Sequence, residues 1–204
     1  MAPRRYDSSR RRASAETTRT QILEAMRALV GGKGDLKDLS MEAVAKRAGV
    51  SRMTVYYQFH SRAELLEALA DHLAGRGGME RMREVFLEPD PDRALRKLVE
   101  TFAGFWASDR VTLRRLRALG VIYPGATAGP RDRDTWRQEA IRNLLSRRGA
   151  RRGGGNGPSA EIVDTLAMLT SFETFDSLSH GNRSAAAVAK LLGDLAIAVV
   201  RGSG

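Results

Sequence analysis

Residues 39–62 read LSMEAVAKRAGVSRMTVYYQFHSR, and this stretch decides the fold. Ser40 precedes Met41, Val44, Ala45 and Ala48, whose spacing of three and four residues places them on one side of a short helix that the serine is suited to cap. Gly49 follows, and glycine turns a chain through positive φ at least cost. Ser51 then opens a second short helix ending near Phe59, with Val55 and Phe59 one turn apart. Two short amphipathic helices around a glycine make a helix-turn-helix. In that motif the second helix enters the major groove with its N-terminal side chains on base edges.

Working outward, Ile22, Leu23, Met26, Leu29 and Val30 form the apolar stripe of a preceding helix from Glu16 to the Gly31-Gly32 pair. Downstream, Ser61 and Glu64 stand at capping-box spacing and introduce Leu65, Leu66, Leu69 and Leu73. Helical stripes recur beyond Pro91 to Trp106, over about 110–119, around Trp136 to Leu145 with an end near Arg148, and over about 159–179 and 184–201. Tyr123-Pro124-Gly125 breaks the chain, Gly149 to Pro158 is expected to be a mobile loop, and His180-Gly181-Asn182 marks a turn. No period of two appears. The expectation is an all-α protein. A disordered basic tail over 1–15 leads into a three-helix helix-turn-helix DNA-binding domain over 16–62, and a C-terminal helical domain follows over 63–204.

Charge points to the partner. The 204 residues carry 34 Lys plus Arg against 24 Asp plus Glu, a formal net charge of +10. Residues 1–60 hold 12 of the basic and 6 of the acidic side chains, so positive charge is densest around the motif and a polyanion is the expected ligand. Arginine outnumbers lysine 29 to 5, which suits bidentate contacts to phosphate and guanine and equally fits a compositional bias of the source genome. There is no cysteine, and the three histidines (His60, His72, His180) are isolated, so neither a metal nor another cofactor is expected. The longest apolar run, Leu195 to Val200, is far short of a membrane span, and the arginine-bearing N-terminus has no apolar segment behind it. A cytoplasmic location is expected.

The 39–62 stretch, with its order of Gly49, Ser51, Thr54, Tyr56, Phe59 and Ser61-Arg62, resembles the DNA-binding domain of the tetracycline-repressor (TetR) family; the likeness covers about Thr18 to Leu69. The residues make physical sense for that role. Ser40 and Ser51 cap helices whose first amides can hold phosphate, and Thr54 and Tyr56 offer hydroxyls to the same backbone. His60 and Ser61 lead into the fourth helix, where Arg62, usually lysine in the family, can clamp a further phosphate. Base reading falls to Arg52, Met53 and Tyr57, arginine taking guanine and the other two suiting thymine methyls. Val55 and Phe59 read as packing residues, Tyr57 is open to a half-core role, and His60 to an ordinary solvated one. The arginines from Arg4 to Arg12 suit either a solvated tail or an arm along the minor groove.

A fifty-residue reader leaves some 135 residues to dimerise it, regulate it or both. The resemblance implies a small-molecule pocket in the C-terminal helices and a dimer interface made by the last two helices. Phe102, Phe105, Trp106, Tyr123, Trp136, Met168, Phe172 and Phe175 are the candidates to line such a pocket, with plain core packing as the competing reading. The last helix is apolar nearly all round, which independently suggests a second copy across a two-fold axis. Glu173 and Asp176 suit either a cationic ligand or pairing with arginine. Three arginines, Arg114, Arg115 and Arg117, suit a solvated face. No catalytic residue is assigned, because nothing in the sequence supplies a nucleophile with a base, a metal spacing or a phosphate loop. The expected function is a homodimeric transcriptional repressor released from a palindromic operator by a small-molecule effector. The alternative is a DNA-binding dimer whose C-terminal domain only dimerises.

Overall fold

A computed structural model describes residues 8–122, 129–151, 157–181 and 183–202. Among these residues there are eleven α-helices and no strand. They are α1 (Ser8–Gly31), α2 (Met41–Ala48), α3 (Arg52–Phe59), α4 (Arg62–Arg76), α5 (Met82–Leu87), α6 (Pro91–Ser108), α7 (Arg110–Ile122), α8 (Gly129–Arg151), α9 (Ala160–Leu169), α10 (Phe172–Leu178) and α11 (Ala185–Gly202). The chain forms two compact units, Met1–His72 with Arg115–Thr127, and Leu73–Arg114 with Ala128–Gly204.

In the first unit α1 packs on α2 and α2 on α3. Ile22 and Met26 from α1, Val44 and Ala45 from α2, and Val55 and Phe59 from α3 are buried together with Leu65 and Leu69 of α4. Two side chains of α1 tie down the short helices, one at the end of α2 and one at the end of α3. Gln21 donates to the Ala48 carbonyl at 2.8 Å, and Arg19 donates to the Gln58 carbonyl at 3.2 Å with its guanidinium 4.4 Å from the Phe59 ring centre. His72 of α4 meets Glu24 of α1 at 2.7 Å.

The second unit is built on α6, against which α11, α5, α8 and α10 pack. Asp90 caps α6 by accepting from the Arg93 amide at 2.8 Å, and Pro91 occupies the first turn, where its missing N–H costs nothing. The face of α6 carrying Leu95, Leu98, Val99, Phe102, Phe105 and Trp106 is buried. Gly77, just past α4, belongs to the same packing: a Cβ there would stand 2.5 Å from Phe105 Cδ2, so no other residue fits without displacing the ring.

Several sequence expectations need correction. The first helix begins at Ser8 rather than Glu16, so the second half of the expected disordered tail is helical; arginine and alanine, which dominate residues 10–15, favour that state. The short helix α5 carried too few residues to show a period. Helix α8 runs on to Arg151 and takes in the start of the expected 149–158 loop, of which 152–156 lie outside the described residues. The single helix expected over 159–179 is two. Thr170 turns its hydroxyl back to the Leu166 carbonyl, and Ser171 caps a fresh helix by accepting from the Thr174 amide. The capping box at Ser61 is half formed. Ser61 Oγ accepts from the Glu64 amide at 3.1 Å, but the Ser61 amide donates to the Phe59 carbonyl and the Glu64 carboxylate meets His60 at 3.2 Å.

Candidate nucleic-acid interface

The turn between α2 and α3 follows from local chemistry. Ser40 Oγ accepts from the Ala43 amide at 3.1 Å, satisfying one of the orphan donors of α2. Gly49 ends the helix at φ 67°, and the next amide, from Val50, reaches back to the Ala45 carbonyl at 3.1 Å. Ser51 then caps α3, its Oγ 3.0 Å from the Thr54 amide and 2.8 Å from Thr54 Oγ1. Both cap serines are exposed.

One side of α3 is fixed inside the unit by Val55 and Phe59, so the opposite side must face outward. Met53 is 75% exposed and Tyr57 is 82% exposed, which removes the half-core reading of Tyr57. Two large apolar side chains are thus displayed to solvent on one short helix. Arg52 lies beside them, exposed, with its guanidinium 3.5 Å from the Tyr56 hydroxyl and 5.3 Å from that ring's centre. The Tyr56 hydrogen bond raises the Arg52 pKa above its ordinary value, and the guanidinium stays charged. Tyr56 and Thr54 are half-buried, each with a hydroxyl near the helix N-terminus. The helix closes at His60, whose φ of 45° is a strained value for a residue with a Cβ. His60 is exposed, and Ser61 and the half-buried Arg62 open α4. Ser40, Ser51, Arg52, Met53, Thr54, Tyr56, Tyr57, His60, Ser61 and Arg62 therefore all belong to α2–α4 or their caps in the first unit.

The candidate ligand residues divide. Trp106 is the centre of a buried group, with ring centres 4.5 Å from Phe105, 6.1 Å from Phe102 and 5.5 Å from Phe172. Its indole N–H donates to the Thr170 carbonyl at 3.0 Å. Phe175 is buried on α10. Trp136 and Met168 are not in this group; they are 45% and 56% exposed. Tyr123 lies outside the described residues. Sequence reasoning missed Arg137, which is buried, sits 5.9 Å from the Phe102 ring centre and approaches the Thr170 carbonyl at 3.5 Å.

Asp176 takes the arginine-paired alternative. Arg110 and Arg114 both donate to its carboxylate, Arg114 at 2.6 and 3.0 Å, and Arg110 also holds the Asp176 and Ser179 carbonyls at 3.1 Å. The hydrogen bonds from Arg114 do most to hold the Asp176 carboxyl below its ordinary pKa; burial opposes them, and the hydrogen bond from Arg110 adds to the lowering. Arg114 and Arg115 accordingly do not form the expected solvated face. Arg115 reaches the Gly34 carbonyl in the first unit. Among the described residues no group of His, Asp and Glu could hold a metal ion, and no helix is long and apolar enough to cross a membrane.

A capped, glycine-turned helix pair with the second helix displayed to solvent defines the protein as a helix-turn-helix protein. Residues 22–69 match the sequence profile of bacterial regulatory proteins of the tetR family. The chain is 34% identical over 91 residues to the HTH-type transcriptional regulator TtgR of Pseudomonas putida, covering 44% of this chain and 43% of that protein. It is 32% identical over 105 residues to EthR of Mycolicibacterium smegmatis, covering 50% and 48%. Both matches thus span about half the length of the relatives. By fold the likeness extends further. PfmR of Thermus thermophilus superposes with a TM-score of 0.66 over 88% of this chain and 97% of that one at 21% identity. NalD of Pseudomonas aeruginosa, a secondary repressor of the MexAB-OprM multidrug efflux pump, does so with 0.66 over 93% and 97% at 22% identity. The likeness to tetR-family regulators thus lies in the N-terminal segment by sequence, and along most of the chain by fold.

Proposed function

We propose that the protein is a homodimeric, sequence-specific DNA-binding regulator of transcription, a repressor released from a palindromic operator by a small-molecule effector. Residues 16–62 read DNA, and residues 63–204 dimerise and bind the effector. The observation that carries the DNA reading is the exposed face of α3, on which Arg52, Met53 and Tyr57 stand clear of the core. Arg52 is suited to guanine O6 and N7, Met53 and Tyr57 to thymine methyls, and the capped starts of α2, α3 and α4 to phosphates.

Dimerisation is supported by α11. Its inner side, with Val188, Leu192, Ala196, Ile197 and Val200, is buried, while Ala187, Leu191, Leu195 and Ala198 form a second, outward apolar line. With the exposed Met168 of α9, that line offers the last helices to a second copy. A two-fold dimer can then set its two α3 helices about 34 to 36 Å apart to enter successive major grooves. An effector that binds a differently spaced conformer more tightly shifts the population, and DNA weakens effector binding by the same factor.

The mutual packing of Phe102, Phe105, Trp106 and Phe172 favours a second reading, in which the C-terminal region is a dimerisation core without effector control. The test of DNA reading is selection of genomic fragments by the purified protein at about 0.15 M salt, where non-specific phosphate attraction is weakened and specific sites survive. One inverted repeat, lost to the R52A/Y57A variant, is the expected result. Unrelated fragments, or binding untouched by those substitutions, would overturn the proposal. Release of the repeat by a small-molecule extract then separates the two readings.

A further inference from the structure

Cysteine is absent from the chain, so its sulfur is confined to the thioethers of seven methionines. Among the described ones Met26, Met41 and Met82 are buried, Met79 is half-buried, and Met53 and Met168 are exposed, Met53 the more so. An oxidant must reach a thioether to react with it, so these two are the sulfurs open to attack in the folded protein. Met53 is the second residue of α3, between Arg52 and Thr54, on the face turned away from Val55 and Phe59. It contributes little to the fold, because Ser51 caps the helix and Val55 and Phe59 pack it. A change of polarity at Met53 therefore alters the displayed face of α3 and leaves its packing intact. Volume alone does not call for methionine here, since leucine fills nearly the same space; the thioether adds a group that oxidation converts from apolar to polar.

We propose that Met53 is an oxidation site through which a peroxide switches off DNA binding. This rests on the DNA-binding reading given above and adds a control to it. The sulfur lone pair forms an S–O bond with one peroxide oxygen as the O–O bond breaks, and the sulfur is oxidised by two electrons. The departing oxygen leaves as hydroxide and takes the proton from the sulfur-bound oxygen, so the products are methionine sulfoxide and water. The sulfoxide oxygen is a strong acceptor, and a thymine methyl offers it no donor, so docking would strip its water without replacement. DNA bound to α3 covers Met53. The oxidant thus acts on the free protein and holds it off its site, until a sulfoxide reductase restores the thioether.

The experiment exposes the full-length protein to hydrogen peroxide in steps, reads sulfoxide at each methionine by peptide mass spectrometry, and measures Kd by fluorescence anisotropy on a selected operator duplex. Affinity should fall with the fraction of Met53 sulfoxide, by about 10-fold for each α3 helix that carries it. Methionine sulfoxide reductase should restore it, and thermal unfolding should not change over the same range. Bound duplex should slow oxidation at Met53 and not at Met168. M53L and M168L are each compared with themselves before and after peroxide: the affinity of M168L should fall as that of the wild type does, and that of M53L should hold. Untreated M53Q, polar and unbranched, should bind as weakly as the oxidised wild type, which keeps the test decisive if M53L binds poorly. Complete Met53 sulfoxide with an unchanged Kd would overturn the proposal, as would a loss of binding that follows Met168 sulfoxide or unfolding instead. Failure of the untreated wild type to select any duplex is a different result, and refutes the DNA-binding reading itself.

Discussion

Replacing Asp176 by asparagine keeps the side chain's size and removes the charge that gathers Arg110 and Arg114. The Asp176 side chain is 16% exposed, that of Arg110 29% and that of Arg114 48%. Arg114, half in solvent, contributes about 0.5 kcal/mol as a surface pair. Arg110 is better covered, and its charge-assisted bond contributes about 1.5 kcal/mol. The loss stops near 2 kcal/mol, below the cost of breaking a fully buried pair, because Arg110 still donates to the main-chain carbonyls of Ser179 and Asp176. For a chain of this size that corresponds to a fall of about 4 to 8 °C in Tm, or a matching shift of the urea midpoint, measured at one protein concentration because association adds to apparent stability. The pH dependence supplies a second check. The carboxyl is held below its ordinary pKa, so its contribution is fully present above the unfolded value of about 3.9 and is lost as pH falls through the lower folded value. The gap between wild type and D176N should be constant from pH 7 to about 5 and should narrow below about 4. Equal stability at pH 7, or a gap that does not change in acid, would refute the assignment of these arginines to Asp176.

Gly49 has φ 67°, and a Cβ added there would meet nothing within 4 Å, so G49A should cost about 1 kcal/mol from backbone strain alone, read as a lower urea midpoint. Trp106 is buried and Trp136 exposed, and these are the two tryptophans of the chain. W136F should therefore leave blue-shifted emission protected from acrylamide, W106F should leave red-shifted, quenchable emission, and W106A should lose about 3 to 5 kcal/mol of stability. Leu195, 43% exposed on the outward line of α11, is the place to break the proposed dimer. L195E should sediment as a monomer at concentrations where the wild type is a dimer, and a persisting dimer would move the interface elsewhere.

The helix-turn-helix could be read from residues 39–62 because everything that makes it is local. Caps, a glycine and apolar residues three and four apart act within a few residues of one another, and the exposed face of α3 is the complement of its buried one. Most other helices were visible for the same reason, as was the all-α class. The end of α9 was not, since an apolar stripe continues across Thr170 and Ser171 while their hydroxyls close one helix and cap the next. Nor could periodicity separate Phe102, Phe105, Trp106 and Phe172, which meet in the interior, from Trp136 and Met168, which face outward. A stripe states that a helix has an apolar side; what covers that side is a property of the whole unit. The pairing of Arg110 and Arg114 with Asp176, and the burial of Arg137 against Phe102, join residues more than 30 positions apart. Short-range chemistry determined the reading motif from sequence alone. Long-range charge pairing and ring packing were decided only when the chain closed on itself, because their energies depend on distances that no local pattern encodes.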